Sequence, residues 1–243
     1  MIRRLLPEPA LLDTRAAIED AYLHPSDHHL RINFVASLDG AVEVGGRSGP
    51  LGGPADRAAF MAMRAVADVV MVGAGTARAE DYGPVRLNPE SQERRVARGQ
   101  APRPPLAVIT ARGDISAGAR MFEADRDVII FTTSPVAAVR PDLAEVADVV
   151  ACGTEGVDVK AVVSELQERG LGRILCEGGA ALSRSLFGAG LVDELCLTFT
   201  PLLAGEGHHR LSEAWAGETG RFQLTGLMEG DGMVLTRYAV GSP

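Results

Sequence analysis

The sequence predicts a layered α/β fold with a mainly parallel β-sheet and a C-terminal antiparallel hairpin. Short β-branched apolar runs alternate with helix-like stretches through most of the chain, as expected when helices cross over a parallel sheet. The final segment, "FQLTGLMEGDGMVLTRYAV", reads as two strands around a glycine-rich turn. No linker, repeat or low-complexity tract divides the chain. We therefore expect a single domain over residues 1–243, with 1–29 as an N-terminal extension and a core at about 30–240.

The first half of the chain supplies the first strands and the first long helix. Residues 30–36 alternate apolar and polar side chains, which predicts a half-buried strand. A glycine-rich loop follows, and Pro54 suits the first turn of a helix that runs to about Ala67. The run "DVVMVGAGT" predicts a strand that ends in glycines. The proline-rich residues 84–105 predict a surface excursion with one short helix.

The second half repeats the strand and helix alternation. The runs "LAVITARGD", "DVIIFTTSP" and "ADVVACG" each predict a buried strand. Asp158 is placed to cap a helix that Gly170 ends. The segment "GRILCEGG" predicts the next strand, "AALSRSLFGAG" the next helix, and "LVDELCLTFTPLL" a longer strand.

Composition excludes several classes of function. The 243 residues carry a formal charge of −8, which disfavours non-specific binding to nucleic acid or to an acidic membrane. No apolar run approaches membrane-spanning length, and the N-terminus does not resemble a signal peptide. The three cysteines lack CxxC spacing, and neither they nor the five histidines show zinc-like spacing. We expect a soluble, cytoplasmic protein with buried reduced thiols and no metal.

Polar residues directly follow the predicted strands, at the edge where parallel sheets bind ligands. The dinucleotide signature GxGxxG is incomplete, because Arg78 stands where the third glycine belongs. Arg112 at a strand end is of the type that pairs with a 2′-phosphate, which favours NADP over NAD if such a cofactor binds. A solvated loop arginine is an equally good interpretation of Arg112 from these residues alone.

Several charged residues have two interpretations. Asp39 could be a catalytic acid, although Asp-Gly after a strand is first a turn former. Arg57 and Arg64 could clamp a phosphate or could lie on a solvated helix face, which is the more natural interpretation of Arg57. Glu80 and Asp81 could act at a site or could belong to a solvated loop.

The ordered motifs resemble the riboflavin-biosynthesis reductase family. They are "ASLDG", then "RSGPLGGPADR…MRAVADVVMVGAGTARAE", then "CEGGAALSRSLFGAGLVDELCLTFTPLLAG". The sequence is similar to the C-terminal, RibD-like pyrimidine reductases, and the similarity spans roughly residues 30 to 240. It implies a three-layer α/β/α, dihydrofolate-reductase-like fold. It also implies NADPH-dependent reduction of 5-amino-6-(5-phosphoribosylamino)uracil to its ribitylamino product, by a reductase without the deaminase domain of bifunctional members.

The resemblance also implies positions for the cofactor and the substrate. Residues matching the NADPH side are Ala36, Pro50, Gly75, Thr76, Thr110, Arg112, Gly178, Gly179, Ala180, Ala181 and Leu182. Residues matching the substrate side are Asn33, Ser48, Arg64, Arg86 and Glu177, with Glu80 and Asp39 as candidate catalytic acids. We expect Gly178 and Gly179 to face the cofactor pyrophosphate while Glu177 faces the substrate.

The sequence departs from the family pattern at three of these positions. Asn33 replaces a lysine, Pro50 a tryptophan and Glu80 an aspartate. These changes leave two alternatives open, which are a dihydrofolate or pterin reductase on the same fold and a non-catalytic protein that binds NADPH or a flavin precursor. The family and the apolar strand "LVDELCLTFTPLL" suggest a homodimer.

Overall fold

The computed structural model describes residues 1–123, 127–215 and 219–241. Within that part of the chain, eleven strands form one sheet. The strands are β1 Ile2–Leu6, β2 Ala10–Leu12, β3 His29–Ala36, β4 Val69–Gly73, β5 Leu106–Ile109, β6 Val128–Thr132, β7 Asp148–Ala151, β8 Arg173–Cys176, β9 Glu194–Phe199, β10 Phe222–Gly230 and β11 Met233–Val240. Their order across the sheet is β2-β1-β10-β11-β9-β3-β8-β4-β5-β6-β7.

Eight α-helices connect and flank these strands in the described ranges. They are α1 Arg15–Ala21, α2 Pro54–Val66, α3 Ala74–Ala79, α4 Pro89–Ala97, α5 Ser134–Val139, α6 Pro141–Val146, α7 Val159–Glu168 and α8 Ala180–Gly188. The Asp158 carboxylate accepts hydrogen bonds from the first-turn amides of α7, as its capping position predicts. Gly170, with φ of +75°, follows the end of that helix in the left-handed region that glycine adopts most readily.

The predicted fold class is confirmed. The seven strands from β9 through β3, β8, β4, β5 and β6 to β7 are mutually parallel, while β11, β10, β1 and β2 add an antiparallel edge. The C-terminal hairpin turns at Asp231 and Gly232, both of which have positive φ. Aspartate followed by glycine is a favoured sequence for this kind of two-residue turn.

Two hydrophobic clusters lie on opposite faces of the sheet and make it the middle of three layers. Strand β4 shows the alternation, because Val70 and Val72 pack into one cluster with α2 while Val69 and Met71 pack into the other with α7 and α8. Such alternation follows from the two-residue period of a strand. All three cysteines are free and buried, as predicted.

Residues 1–29, expected to be an extension ahead of the core, instead supply β1, β2 and α1 to the fold. Strand β1 pairs with β10 from the far end of the chain, and Ile2 and Leu12 are buried. The local sequence "IRRLL" has no clear strand period. Strand β1 pairs with nearby β2 on one edge and with β10, more than 200 residues away, on the other. No helix in the described ranges is long and apolar enough to cross a membrane.

A buried polar cluster ties the amino ends of β3 and β9 to the end of α1. Glu194 accepts hydrogen bonds from both Arg31 and Arg237, and Arg31 Nη1 donates to the Tyr22 carbonyl at 2.8 Å. Beside it, His24 Nδ1 and His29 Nδ1 lie 3.0 Å apart. Burial, together with the positive charge of Arg31, lowers the pKa of His24 far below its usual range. Burial also lowers the pKa of His29.

This cluster predicts a loss of stability in mild acid. The unfolded chain protonates His24 as the pH falls through about 6.5, whereas the folded chain keeps it neutral. The unfolded state then binds more protons, so the free energy of unfolding falls by about 1 kcal/mol per pH unit below that point for this residue. Urea unfolding of the wild type and of His24→Leu between pH 7.5 and 5 measures this pH dependence. The free energy of unfolding should fall less steeply with pH in the variant than in the wild type. His28→Leu, at an exposed position, is the matched control. Equal slopes in all three proteins would contradict the assignment.

Candidate active site

A large cleft opens at the carboxyl ends of β3, β4 and β8, between α2 and the start of α8. Its volume is about 1690 Å³, enough for a dinucleotide and a second small molecule. Thirteen residues selected from the sequence line it: Asn33, Ser48, Arg64, Gly75, Thr76, Glu80, Arg86, Glu177, Gly178, Gly179, Ala180, Ala181 and Leu182. The parallel strands bring these distant segments together because their carboxyl ends meet at one edge of the sheet.

The strongest polar contact in the cleft joins α2 to the end of β8. Arg64 Nε and Nη2 each donate to a different carboxylate oxygen of Glu177, both at 2.7 Å. The Tyr82 hydroxyl donates to Glu177 Oε2, also at 2.7 Å. The Arg64 guanidinium also lies over the Phe60 ring, 4.3 Å from its centroid. Glu177 thus accepts three hydrogen bonds, and Oε1 keeps one lone pair for a further donor.

The electrostatics of this cluster keep the Arg64 guanidinium charged and the Tyr82 hydroxyl protonated. The side chains of Arg64 and Glu177 are only 15% and 2% exposed, so the bidentate pair is largely shielded from water. Burial alone would lower the pKa of Arg64, but the Glu177 charge outweighs it and the net shift is upward. Burial and the Glu177 charge raise the pKa of Tyr82 well above 10, which keeps its hydroxyl a donor.

Arg64 was expected to bind a substrate phosphate, and the structure places it in the cleft in a different arrangement. The Nε–Nη2 edge of its guanidinium, one of the two edges that could chelate a phosphate, faces Glu177. Two other cleft arginines, Arg57 and Arg86, are exposed and form no ion pair within the described residues. These two therefore offer freer cations to an anionic ligand than Arg64 does.

The opposite wall of the cleft is a tight crossing of glycine backbones. The Gly73 amide donates to the Gly178 carbonyl at 2.9 Å, and the Gly178–Gly179 peptide bond is cis. A Cβ on Gly179 would lie 2.5 Å from Thr76 Oγ1, so no larger residue fits without moving Thr76. Helix α8 then begins without a side-chain cap, and its first-turn N–H groups have no partner within the helix.

The two candidate catalytic acids occupy different places. Glu80 lines the cleft and accepts the Ser48 amide at 2.6 Å. Asp39 lies outside the cleft lining, where it accepts from Ser37 Oγ and from the amides of Ala204 and Gly205. These bonds, the one from Ser37 first, lower its pKa. Asp39 therefore organises the loop after β9, in keeping with the turn-forming interpretation, and its geometry lends no support to a catalytic role.

Four residues matched to the cofactor side also lie outside the cleft lining. Ala36 is fully buried in β3, and Pro50 is exposed in a 3₁₀ turn. Thr110 Oγ1 donates to Asp114 in the turn after β5. The Arg112 side chain is 84% exposed beside that turn, 3.6 Å from Asp114.

Sequence reasoning missed Tyr82 and Asp56. Tyr82 follows Glu80 by two residues in a glycine- and proline-containing loop, and no local pattern marks it. Asp56 could have been found, because it shares with Phe60 and Arg64 the i, i+4 stripe of α2 that faces the cleft. In the described ranges, no group of three or more His, Cys, Asp or Glu residues is arranged to hold a metal ion.

Comparison with known proteins identifies relatives along most of the chain. The model of the RibD C-terminal domain family matches residues 28–231. A protein of Archaeoglobus fulgidus, named 2,5-diamino-6-ribosylamino-4(3H)-pyrimidinone 5′-phosphate reductase, is 32% identical over 177 residues, which are 72% of this chain and 80% of that protein. A protein of the same name from Methanothermobacter thermautotrophicus is 26% identical over 175 residues, 72% of this chain and 78% of that one.

Solved structures also match most of the chain. A pyrimidine reductase-like protein from Corynebacterium diphtheriae superposes with a TM-score of 0.82 at 25% identity, covering 93% of this chain and 99% of that one. The yeast riboflavin biosynthesis reductase Rib7 gives a TM-score of 0.68 at 18% identity, covering 92% and 98%. The second similarity concerns the fold alone.

The Arg64–Glu177 pair predicts a specific pattern of stabilities. Arg64→Met should lower the free energy of unfolding by about 3 kcal/mol, because it leaves the Glu177 charge buried without a cation. Adding Glu177→Gln to that variant should restore part of the loss. Urea unfolding of both single variants and the double variant measures the coupling.

Arg169→Met is the control for this experiment, since Arg169 pairs with Glu165 and Asp148 on the surface. Its loss should be about 1 kcal/mol or less. A loss for Arg64→Met no larger than that of the control, with no recovery in the double variant, would contradict the buried pair.

Proposed function

This chain belongs to the RibD C-terminal domain family, and from that premise we propose that it is an NADPH-dependent reductase of a phosphorylated 6-(ribosylamino)pyrimidine in riboflavin biosynthesis. The sequence resemblance implied the uracil form of this substrate, whereas the two relatives carry the name of the 2,5-diamino-4(3H)-pyrimidinone form. The ribosylamine that is reduced is common to both rings. The observation that carries the proposal is a single cleft with an uncapped helix N-terminus on one wall and free arginines on the other.

The glycine wall fits the pyrophosphate of a nicotinamide cofactor. Gly179 packs so closely against Thr76 that a Cβ there would lie 2.5 Å from Thr76 Oγ1, which keeps this turn a bare backbone surface, and the first amides of α8 point a partial positive charge at an anion. Binding through backbone groups suits a chain with a net charge of −8. We assign NADPH over NADH because Arg112, in the turn after β5, is 84% exposed and its only ion pair among the described residues is the 3.6 Å contact with Asp114, so that it could pair with a 2′-phosphate extending beyond the cleft.

The reaction requires the ribosylamine ring to open to an imine, which accepts a hydride at C1′ and a proton at the imine nitrogen. When bound, NADPH supplies that hydride. The chain must hold the acceptor carbon in line with the donor, which is a task of positioning. Arg86 and Arg57 would hold the substrate phosphate by charge-assisted hydrogen bonds. Glu177, fixed by Arg64 and Tyr82, presents its remaining Oε1 acceptor site to the sugar, and Glu80 lies at the cleft wall near it.

Two further proposals concern the protein as a whole. We place it in the cytoplasm, where its substrate and cofactor occur. We also propose a homodimer, although β9 is paired on both sides by β3 and β11 and offers no free edge. The loop after β9 instead exposes Leu202 and Leu203, and exposed Leu38 bonds to it through its amide. Exposed leucines grouped in this way are typical of protein contacts.

The first test is turnover. The purified protein, mixed with NADPH and the phosphoribosylaminopyrimidine in either ring form, should lower the absorbance at 340 nm and yield the ribitylamino product. Dihydrofolate in place of the pyrimidine should give no turnover. Turnover of dihydrofolate alone would favour the pterin-reductase alternative, and NADPH binding without any turnover would favour a non-catalytic binding protein.

The second test concerns the choice of cofactor. Arg112→Ala should raise the KM for NADPH about tenfold, the equivalent of one charge-assisted hydrogen bond, and should leave the KM for NADH unchanged. Arg15→Ala, on α1 away from the cleft, is the matched control. Equal effects on both cofactors, or none on either, would remove Arg112 from the 2′-phosphate site.

A further inference from the structure

Six carboxylates among the described residues line the cleft, and five of them already have a cation or an amide as partner. Glu177 bonds Arg64 and Tyr82, and Glu80 bonds the Ser48 amide. The remaining three pairs are Asp81 with Arg120, Glu213 with His209 and the Arg210 amide, and Glu43 with the His209 amide. These five carboxylates are occupied in holding the walls of the cleft.

Asp56 is the sixth, and it differs from the others. It lies in the first turn of α2, on the stripe that faces the cleft. Among the residues that the structure describes, no cation or backbone amide bonds its carboxylate. The Thr198 hydroxyl of β9 donates a hydrogen bond to it, and the positive charge of adjacent Arg57 acts on it. Burial raises its pKa, and these two neighbours offset only part of that shift.

A half-buried carboxylate that receives one hydroxyl hydrogen bond, and neither an amide nor a cation, keeps acceptor sites for a ligand that brings its own donors. Two oxygens side by side match two adjacent N–H donors, as in arginine–carboxylate pairs. A 2-amino-4(3H)-pyrimidinone ring presents such an edge, formed by the ring N3–H and the exocyclic 2-amino group. A uracil ring presents N3–H flanked by two carbonyl oxygens, so one carboxylate oxygen would face another acceptor.

We propose that Asp56 binds the N3–H and 2-amino edge of the substrate ring and makes this chain select the 2-amino-pyrimidinone over the uracil form. The inference rests on the proposed reductase function and deepens it by naming the ring. Discrimination follows from the pairing rule that a site built for donors rejects an analogue that replaces one donor with an acceptor. Thr198, the β9 neighbour of Asp56, is paired with Val35 on the adjacent strand β3, which also carries Asn33. One strand therefore separates Asp56 from Asn33. The ring would therefore lie across the β3 end of the cleft.

The experiment compares kcat/KM for the two ring forms, both as 5′-phosphates, in the wild type and in Asp56→Asn. The amide of asparagine offers one donor and one acceptor, which suits a uracil edge and mismatches a 2-amino edge. The wild type should prefer the 2-amino substrate. In Asp56→Asn the ratio of kcat/KM for the 2-amino form over the uracil form should fall at least tenfold, mainly through the KM of the 2-amino form, while the KM for NADPH stays unchanged.

Asp27→Asn, with a side chain 93% exposed and distant from the cleft, is the matched control and should leave the ratio unchanged. If Asp56→Asn does not fold, Asp56→Ser removes the same carboxylate in a smaller side chain and should lower the ratio as well. A wild type that prefers uracil, or an Asp56 variant with an unchanged ratio, would overturn the inference. An equal loss of kcat/KM for both substrates in the Asp56 variant would overturn the inference too. A wild type that reduces neither ring would instead defeat the proposed function itself.

Discussion

The ion pair between Arg64 and Glu177 is the interaction on which the geometry of the cleft depends. It joins the long helix α2 to the end of β8, and Tyr82 adds the loop after α3 to the same carboxylate. Its burial means that neither charge can be released without a large desolvation penalty. The two walls are thereby held at a fixed separation, with the glycine crossing on one side and the α2 stripe on the other.

In the proposed function, backbone N–H groups bind the cofactor and side chains bind the substrate. Gly178, Gly179 and the first amides of α8 would bind the cofactor pyrophosphate mainly through backbone N–H groups. The α2 wall carries the side-chain chemistry, in the order Asp56, Arg57, Phe60 and Arg64 along one face. If the proposal holds, an acidic chain binds two anionic ligands because each meets local donors whose effect exceeds that of the distant net charge. Glu177 lies between the two walls and is neutralised by Arg64.

Much of the fold followed from local sequence, whereas the pairing of side chains did not. The two-residue period of β3, the Asp158 cap of α7 and the Asp231-Gly232 turn are local signals, and each predicted its element. Strand β1 was missed because its pairing with β10 is a long-range contact. Most of the cleft residues were selected correctly as neighbours, since strand ends converge. Their partners depend on tertiary packing, so the role expected for Arg64 changed once Glu177 was found against it.

The most direct test of this account is a crystal structure of the protein with NADP and the ribitylamino product bound. We expect the pyrophosphate over the Gly178–Gly179 turn, the product phosphate on Arg57 and Arg86, and the Arg64–Glu177 pair intact at about its present 2.7 Å. A structure in which Arg64 has left Glu177 and chelates the phosphate would contradict the account, because the pair would then be a feature of the empty cleft and not the element that shapes it.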